Sequence, residues 1–207
     1  EFLKHQETVM WVERKLEFNI KNIAGHVLTQ TGPKGEENPS TPVWNKGLTG
    51  RNQIVGVGDT GIDWDNCFFN DPTYNNVPVN TVDLSRRKII SYHTVTVDKT
   101  TTDTMDDVNG HGTHVTGSVA GGVISGVPNA SSLARYNGSA PEAKLFFTDL
   151  QKTGDPRLYI PSDLQADYFG PAYQAGARIH SNSWGCSAGI VYCRYDCDCR
   201  WAITIPG

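Results

Sequence analysis

Three short runs of β-branched and aromatic residues, separated by two helix-like segments, restrict this chain more than any other feature of its sequence. Ile54-Val55-Gly56-Val57-Gly58 comes first, a buried-strand composition interrupted by glycines that leave room for close approach, and it runs directly into Asp59. Gly112-Thr113-His114-Val115-Thr116-Gly117-Ser118-Val119-Ala120-Gly121 follows, and its small side chains permit a helix packed closely on a sheet. Ala143-Lys144-Leu145-Phe146-Phe147-Thr148 reads as a second buried strand. A helix is expected to open at Pro161-Ser162-Asp163-Leu164 and run through Ala175, with Ser162 as its N-cap and Gly176 and Ala177 at its end. Ile179-His180-Ser181-Asn182-Ser183 supplies the third strand. Strand, helix, strand, helix, strand in that order predicts an α/β fold, an open, mostly parallel sheet with crossover helices. Ligands of such sheets bind beyond the C-terminal ends of the strands, where both Asp59 and Ser183 fall.

The surrounding sequence divides the chain. Within residues 1–42, the stretch Val9 to Ile20 alternates only partially and reads as an edge strand or extended arm, and Gly32 to Thr41, with Pro33 and Pro39, is linker chemistry. Residues 43–185 form the domain proper, and residues 186–207 are a Cys-rich tail or insertion. Inside the domain, residues 66–109 read as surface loop with a strand at Lys88–Tyr92, and residues 122–137 as loop. A chain of 207 residues with 38% hydrophobic and 19% charged residues is apolar enough to fold, and one domain accounts for it. Its net charge of -4, with Ser85-Arg86-Arg87-Lys88 as the one basic cluster, argues against a nucleic-acid partner. No apolar run reaches the length of a membrane span, so no transmembrane segment is expected, and Glu1-Phe2-Leu3-Lys4 does not resemble a signal peptide.

Asp59-Thr60-Gly61 on its own admits three readings: an aspartate closing a strand with an Asx turn, half of an aspartic-protease pair, or the carboxylate of a serine-protease triad. The second needs a partner triplet, and the chain has one Asp-Thr-Gly. Asn109-Gly110-His111-Gly112-Thr113-His114-Val115-Thr116-Gly117 places His111 at a helix start between two glycines, where an imidazole stands clear of its own backbone. Asp59 is able to orient one ring nitrogen and leave the other to accept a proton, although the pair activates no covalent nucleophile without a third group. A zinc site is disfavoured, because no Glu follows His111 and no acid lies one turn beyond His114. His111 is therefore expected to be functional, and His114 to be structural, turned toward the sheet or supporting the residues around the site.

Together these runs resemble the aspartate and histidine motifs of the subtilisin-like serine proteases, the subtilases, in that family's order. Gly138-Ser139-Ala140-Pro141-Glu142-Ala143-Lys144-Leu145 is similar to the family's Gly-x-Ala-Pro-x-Ala stretch, and Ser181-Asn182-Ser183-Trp184-Gly185 to its substrate-lining strand. The resemblance covers residues 43–185. It implies a subtilisin-like fold, incomplete as given, and a serine-type endopeptidase that hydrolyses polypeptide substrates with an Asp-His-Ser triad. Asp59 would support the imidazolium and His111 would act as general base and then general acid. Ser181, Ser183, Trp184 and Gly185 would line the substrate cleft, pairing with an extended peptide as an added strand, with Trp184 as an apolar wall.

One departure from the family pattern is large. The oxyanion asparagine and the Gly-Thr-Ser-x-Ala helix start belong after Gly185, but the chain continues into Cys186-Ser187-Ala188-Gly189 and contains no Gly-Thr-Ser. Without nucleophile or oxyanion donor the dyad supplies little acceleration, so this chain alone is expected to be inactive. A second chain or C-terminal segment bearing the serine is the expected partner. The alternative is a truncated, catalytically inactive homologue that binds a peptide or protein along Ser181–Gly185.

The resemblance further implies an inhibitory pro-segment ending near Val9–Glu13, and chemistry that needs no cofactor or catalytic metal. Asp63, Asp65, Asp71, Asp103, Asp106 and Asp107 read as a solvated acidic face, with structural calcium as the alternative. Cys67, Cys186, Cys193, Cys197 and Cys199 are expected in disulfides of unassigned pairing; a zinc cluster or free thiols are the other readings of the tail. Asn129-Ala130-Ser131 and Asn137-Gly138-Ser139 match the glycosylation acceptor pattern. With the family resemblance, these features predict secretion or an endomembrane lumen.

Overall fold

Strands buried on both faces need near-continuous apolar sequence, and the central strands of the main sheet have it, while the edge strand Ile179–Asn182 is mostly polar and exposed or half-buried. The computed structural model describes residues 41–106 and 110–184; expectations for the arm, for Asp107 and Asn109, and for Gly185 and the four tail cysteines lie outside the described residues. Strand β1 (Ile54–Asp59) is buried from Val55 onward. It lies between β5 (Lys144–Asp149) and β6 (Ile179–Asn182), and β2 (Ile89–Thr94) flanks β5 on the other side. All three pairings are parallel, giving the order β2-β5-β1-β6. A small antiparallel ribbon, β3 (Thr96–Val97) and β4 (Thr100–Thr101), follows β2. The α/β architecture, the parallel sheet and the crossover helices are as the sequence predicts.

Alternation along the strands sorts the two faces. Val55, Val57, Leu145, Phe147 and Tyr92 join Ile62, Phe69 and Ala120 in one core, which Val115 and Val119 of helix α1 (His111–Ala120) pack against. Phe146 on the opposite face packs with Ala172 and Ala177. There the glycines of β1 are required by their neighbours: a Cβ on Gly56 would strike the His180 ring, and one on Gly58 the Tyr168 hydroxyl. Glycine thus lets two ring-bearing side chains approach the central strand closely.

Three differences from the sequence reading have physical causes. The run at Lys88–Tyr92 is a full member of the sheet, extending from Ile89 to Thr94, because pairing to β5 buries its first four residues. The second crossover helix begins later than expected. Asp163, not Ser162, receives its first amides: Asp163 Oδ1 accepts from Ala166 N–H at 2.8 Å and its carbonyl from Asp167 N–H at 2.9 Å. That helix opens with a π-helical turn, Gln165–Phe169, before α2 (Gly170–Gln174), and Gly170 N–H donates back to Gln165 O ahead of Pro171, which has no N–H to give. Finally, the loop at 122–137 contains a helical turn at Ala130–Leu133 and a 3₁₀ turn at Ala134–Tyr136. No helix of the described residues is long and apolar enough to cross a membrane.

Candidate active site

Asp59 is the last residue of β1, and its carbonyl accepts from Leu150 N–H at 2.8 Å, just past the end of β5. The chain then turns at Gly61, whose φ of 114° is accessible to glycine and strained for other residues. This turn packs directly on the start of α1: a Cβ on Gly112 would collide with the Gly61 carbonyl. Two facing glycines therefore let the helix N-terminus reach the strand end.

That approach brings His111 to Asp59. His111 Nδ1 lies 2.6 Å from Asp59 Oδ1, which also accepts from Thr60 N–H at 2.8 Å. The two partners differ in exposure, with 2% of the Asp59 side chain accessible against 52% of His111. A buried carboxylate that accepts from Nδ1–H fixes the ring's orientation and leaves Nε2 as the proton-accepting nitrogen. Asp59 Oδ2 is buried with no hydrogen-bond partner among the described residues, so His111 and the Thr60 amide, both on Oδ1, compensate this carboxylate.

A second carboxylate fastens the helix start. Asp106 Oδ2 accepts from Thr113 N–H at 2.8 Å and its Oδ1 from the Thr60 hydroxyl at 2.9 Å, while Thr60 Oγ1 accepts from Gly112 N–H at 2.9 Å. Gly110, at the N-cap, offers no side chain, and Asp106 does the capping from the preceding loop, where its charge also favours the positive end of the helix. Asp63 N–H donates to Thr113 Oγ1 at 2.7 Å, adding a third tie. The sequence reading places Asp106 on a solvated face, whereas it caps the helix start; a carboxylate five residues before His111 is the signal that marks it.

The remaining expected site residues fall as follows. Ser181 lies on β6 opposite Val57, and Ser183 is exposed just past the strand. Trp184 is half-buried: its indole N–H donates to Gly58 O at 3.0 Å and its ring meets Tyr168 edge-on at 5.9 Å. One edge of the indole is therefore committed to the fold, next to the residue that precedes Asp59. Tyr168 in turn donates to Asn182 Oδ1 at 2.6 Å. His114 is a correction, since it lies on the exposed side of α1; the helical repeat turns Gly112, Thr116 and Ala120 inward instead.

Asn129 is exposed, whereas Asn137 is half-buried and accepts from Val123 N–H at 2.9 Å through its side-chain oxygen. Cys67 is half-buried and in no disulfide among the described residues. Several of the acidic residues anchor loops: Asp71 accepts from Arg87 N–H at 2.6 Å and Asp103 from Thr153 N–H at 2.8 Å. A hydrogen bond shared with Asp65, then burial, raises Asp63 above its ordinary value. Among the described residues no three His, Cys, Asp or Glu side chains converge as a metal site.

Comparison with known proteins gives the same answer along most of the chain. A family model described as the subtilase family matches residues 50–196, past the expected boundary at residue 185. Three similar proteins come from Dictyostelium discoideum. The serine protease/ABC transporter B family protein tagD is 40% identical over 140 residues, covering 67% of this chain and 7% of that protein. The corresponding protein tagA is 34% identical over 189 residues, 89% of this chain and 10% of its own length. The protein tagB is 41% identical over 140 residues, again 67% of this chain and 7% of the relative. The chain thus spans a tenth or less of the length of these relatives.

Proposed function

The chain belongs to the subtilase family, and from that premise we propose that it is the Asp- and His-bearing part of a serine-type endopeptidase. In this reading Asp59 holds and supports His111, and His111 takes the proton of a serine hydroxyl as it attacks a peptide carbonyl, then returns it to the leaving amine. The observation that carries the reading is the 2.6 Å contact between His111 Nδ1 and Asp59 Oδ1, made by a buried carboxylate and a half-exposed ring. The relatives' names, which include "serine protease", support it.

The serine comes from another segment of the same polypeptide or from a companion chain, because these 207 residues contain no Gly-Thr-Ser. Taken alone they hydrolyse no peptide. Ser181, Ser183 and Trp184, with Gly185, are proposed to line the cleft as an edge strand that a polypeptide substrate extends. The setting proposed is secreted or endomembrane lumen, supported by the exposed acceptor Asn129 and the cysteine-rich tail.

Intact mass spectrometry after treatment with a fluorophosphonate probe tests the proposal on the complete polypeptide or its complex. Covalent labelling of a serine outside residues 1–207 supports an endopeptidase. No labelling at full occupancy favours a catalytically silent homologue that binds peptide along β6.

A further inference from the structure

Beneath the Asp59 turn lies a buried polar chain that the proposed mechanism does not use. The Tyr92 hydroxyl accepts from Ile62 N–H at 3.1 Å and donates to Asp149 Oδ2 at 2.9 Å. Asp149 Oδ1 accepts from Gln151 N–H at 2.9 Å. Tyr92, Ile62, Asp149 and Leu150 are all 0% exposed. Asp149 stands opposite Asp59 in the β1–β5 register, and its neighbour Leu150 donates its N–H to the Asp59 carbonyl. The end of β5 therefore holds the Thr60–Gly61 turn on both sides: Asp59 through Leu150, and Ile62 through Tyr92 and Asp149.

Such an arrangement is costly. A carboxyl group removed from water without a cation beside it loses its hydration, and an apolar residue of similar size at the centre of a sheet is cheaper. Among the described residues Asp149 forms no ion pair; its hydrogen bonds come from a phenol and an amide. Burial, with the nearby charges of Asp103 and Asp106 adding to it, pushes Asp149 up to about 8. What this geometry achieves is placement: the segment it fixes is the one that carries Asp59 on one side and presses on Gly112, next to His111, on the other.

We propose that Tyr92 and Asp149 are positioning residues for the Asp59–His111 pair, acting through the amide of Ile62 and the turn at Gly61. The inference deepens the endopeptidase reading and rests on it for its catalytic consequence, but the placement itself is readable without catalysis. The His111 Nδ1 proton bonded to Asp59 gives a downfield proton resonance in the full 207-residue chain, and its exchange rate with water reports how firmly the pair is held.

Tyr92→Phe and Asp149→Ala are expected to speed that exchange at least about tenfold. Asp149→Asn, which keeps an acceptor for Tyr92, should restore it to within about threefold. Ile90→Ala, a core truncation two residues away on the same strand, lowers stability without touching the network and should leave the rate within about threefold. In the complete polypeptide Tyr92→Phe should lower kcat about tenfold with KM unchanged, less than the roughly hundredfold that a 1 Å misplacement costs. Equal exchange in wild type and Tyr92→Phe, or the same acceleration in Ile90→Ala, overturns the proposal. Failure of fluorophosphonate labelling with the exchange pattern as expected would overturn the endopeptidase reading and leave the positioning role standing.

Discussion

Asp59 and His111 are separated by 52 residues and meet at 2.6 Å, a contact made by the end of a strand and the start of a helix. Asp59→Asn keeps the shape but presents an amide to Nδ1, favouring the wrong imidazole tautomer; in the complete polypeptide kcat for a peptide substrate should fall about 10⁴-fold. Thr60→Val removes both the donor to Asp106 and the acceptor of Gly112 N–H, and should destabilise the folded chain by about 1–2 kcal/mol in urea unfolding. Asp59 and His111 were legible in the sequence because each sits at a junction that its own neighbours announce, glycines around the histidine and an apolar run before the aspartate. The Thr60–Asp106 tie was not, since its partners are 46 residues apart across a loop without periodicity. Tyr92 and Asp149 were hidden for a related reason: within strands they look like ordinary sheet residues until the register sets them beside β1.

At the scale of elements, β1 and β5 could be read from composition because burial on both faces demands apolar runs. The order β2-β5-β1-β6 could not, because pairing is a property of the whole set. Glycine in β1 is the clearest local sign of what packs above it. Gly58→Ala would drive a methyl group into the Tyr168 hydroxyl, which is itself held by Asn182. A loss of about 1–3 kcal/mol is expected, seen as a lower urea midpoint at unchanged slope. The helix before β6 was placed correctly but its start was not: Ser162 and Asp163 are both good caps in sequence, and the amides of Ala166 and Asp167 decide between them. His114 falls on the exposed side of α1, because the small residues Gly112, Thr116 and Ala120 form the buried stripe.

For the molecule as a whole, two buried ionisable groups give opposite pH dependences. Lys88 is 2% exposed and donates to the carbonyls of Pro141 and Ala143 at 2.7 and 2.8 Å; burial lowers its pKa to about 7. Between about 7 and the ordinary lysine value of 10.5 the unfolded chain binds the extra proton, so stability rises with pH there, by up to about 1.4 kcal/mol per unit. Lys88→Met should abolish that rise in unfolding measured from pH 7 to 10. Asp149 has the reverse sign: its stabilising contribution is complete below the ordinary value of 3.8 and is lost as pH climbs through about 8. Relative to Asp149→Asn, the wild type should therefore lose stability across that window.

The joining of a buried carboxylate and a half-exposed imidazole is useful to a protease only if that imidazole activates a serine. The most direct measurement is the rate at which a fluorophosphonate labels the serine of the complete polypeptide, compared between wild type and His111→Ala. Labelling that slows by at least about a hundredfold in the variant, with folding retained, is what general-base activation predicts. Equal labelling rates in the two proteins would show that His111 does not serve the nucleophile and would contradict the account.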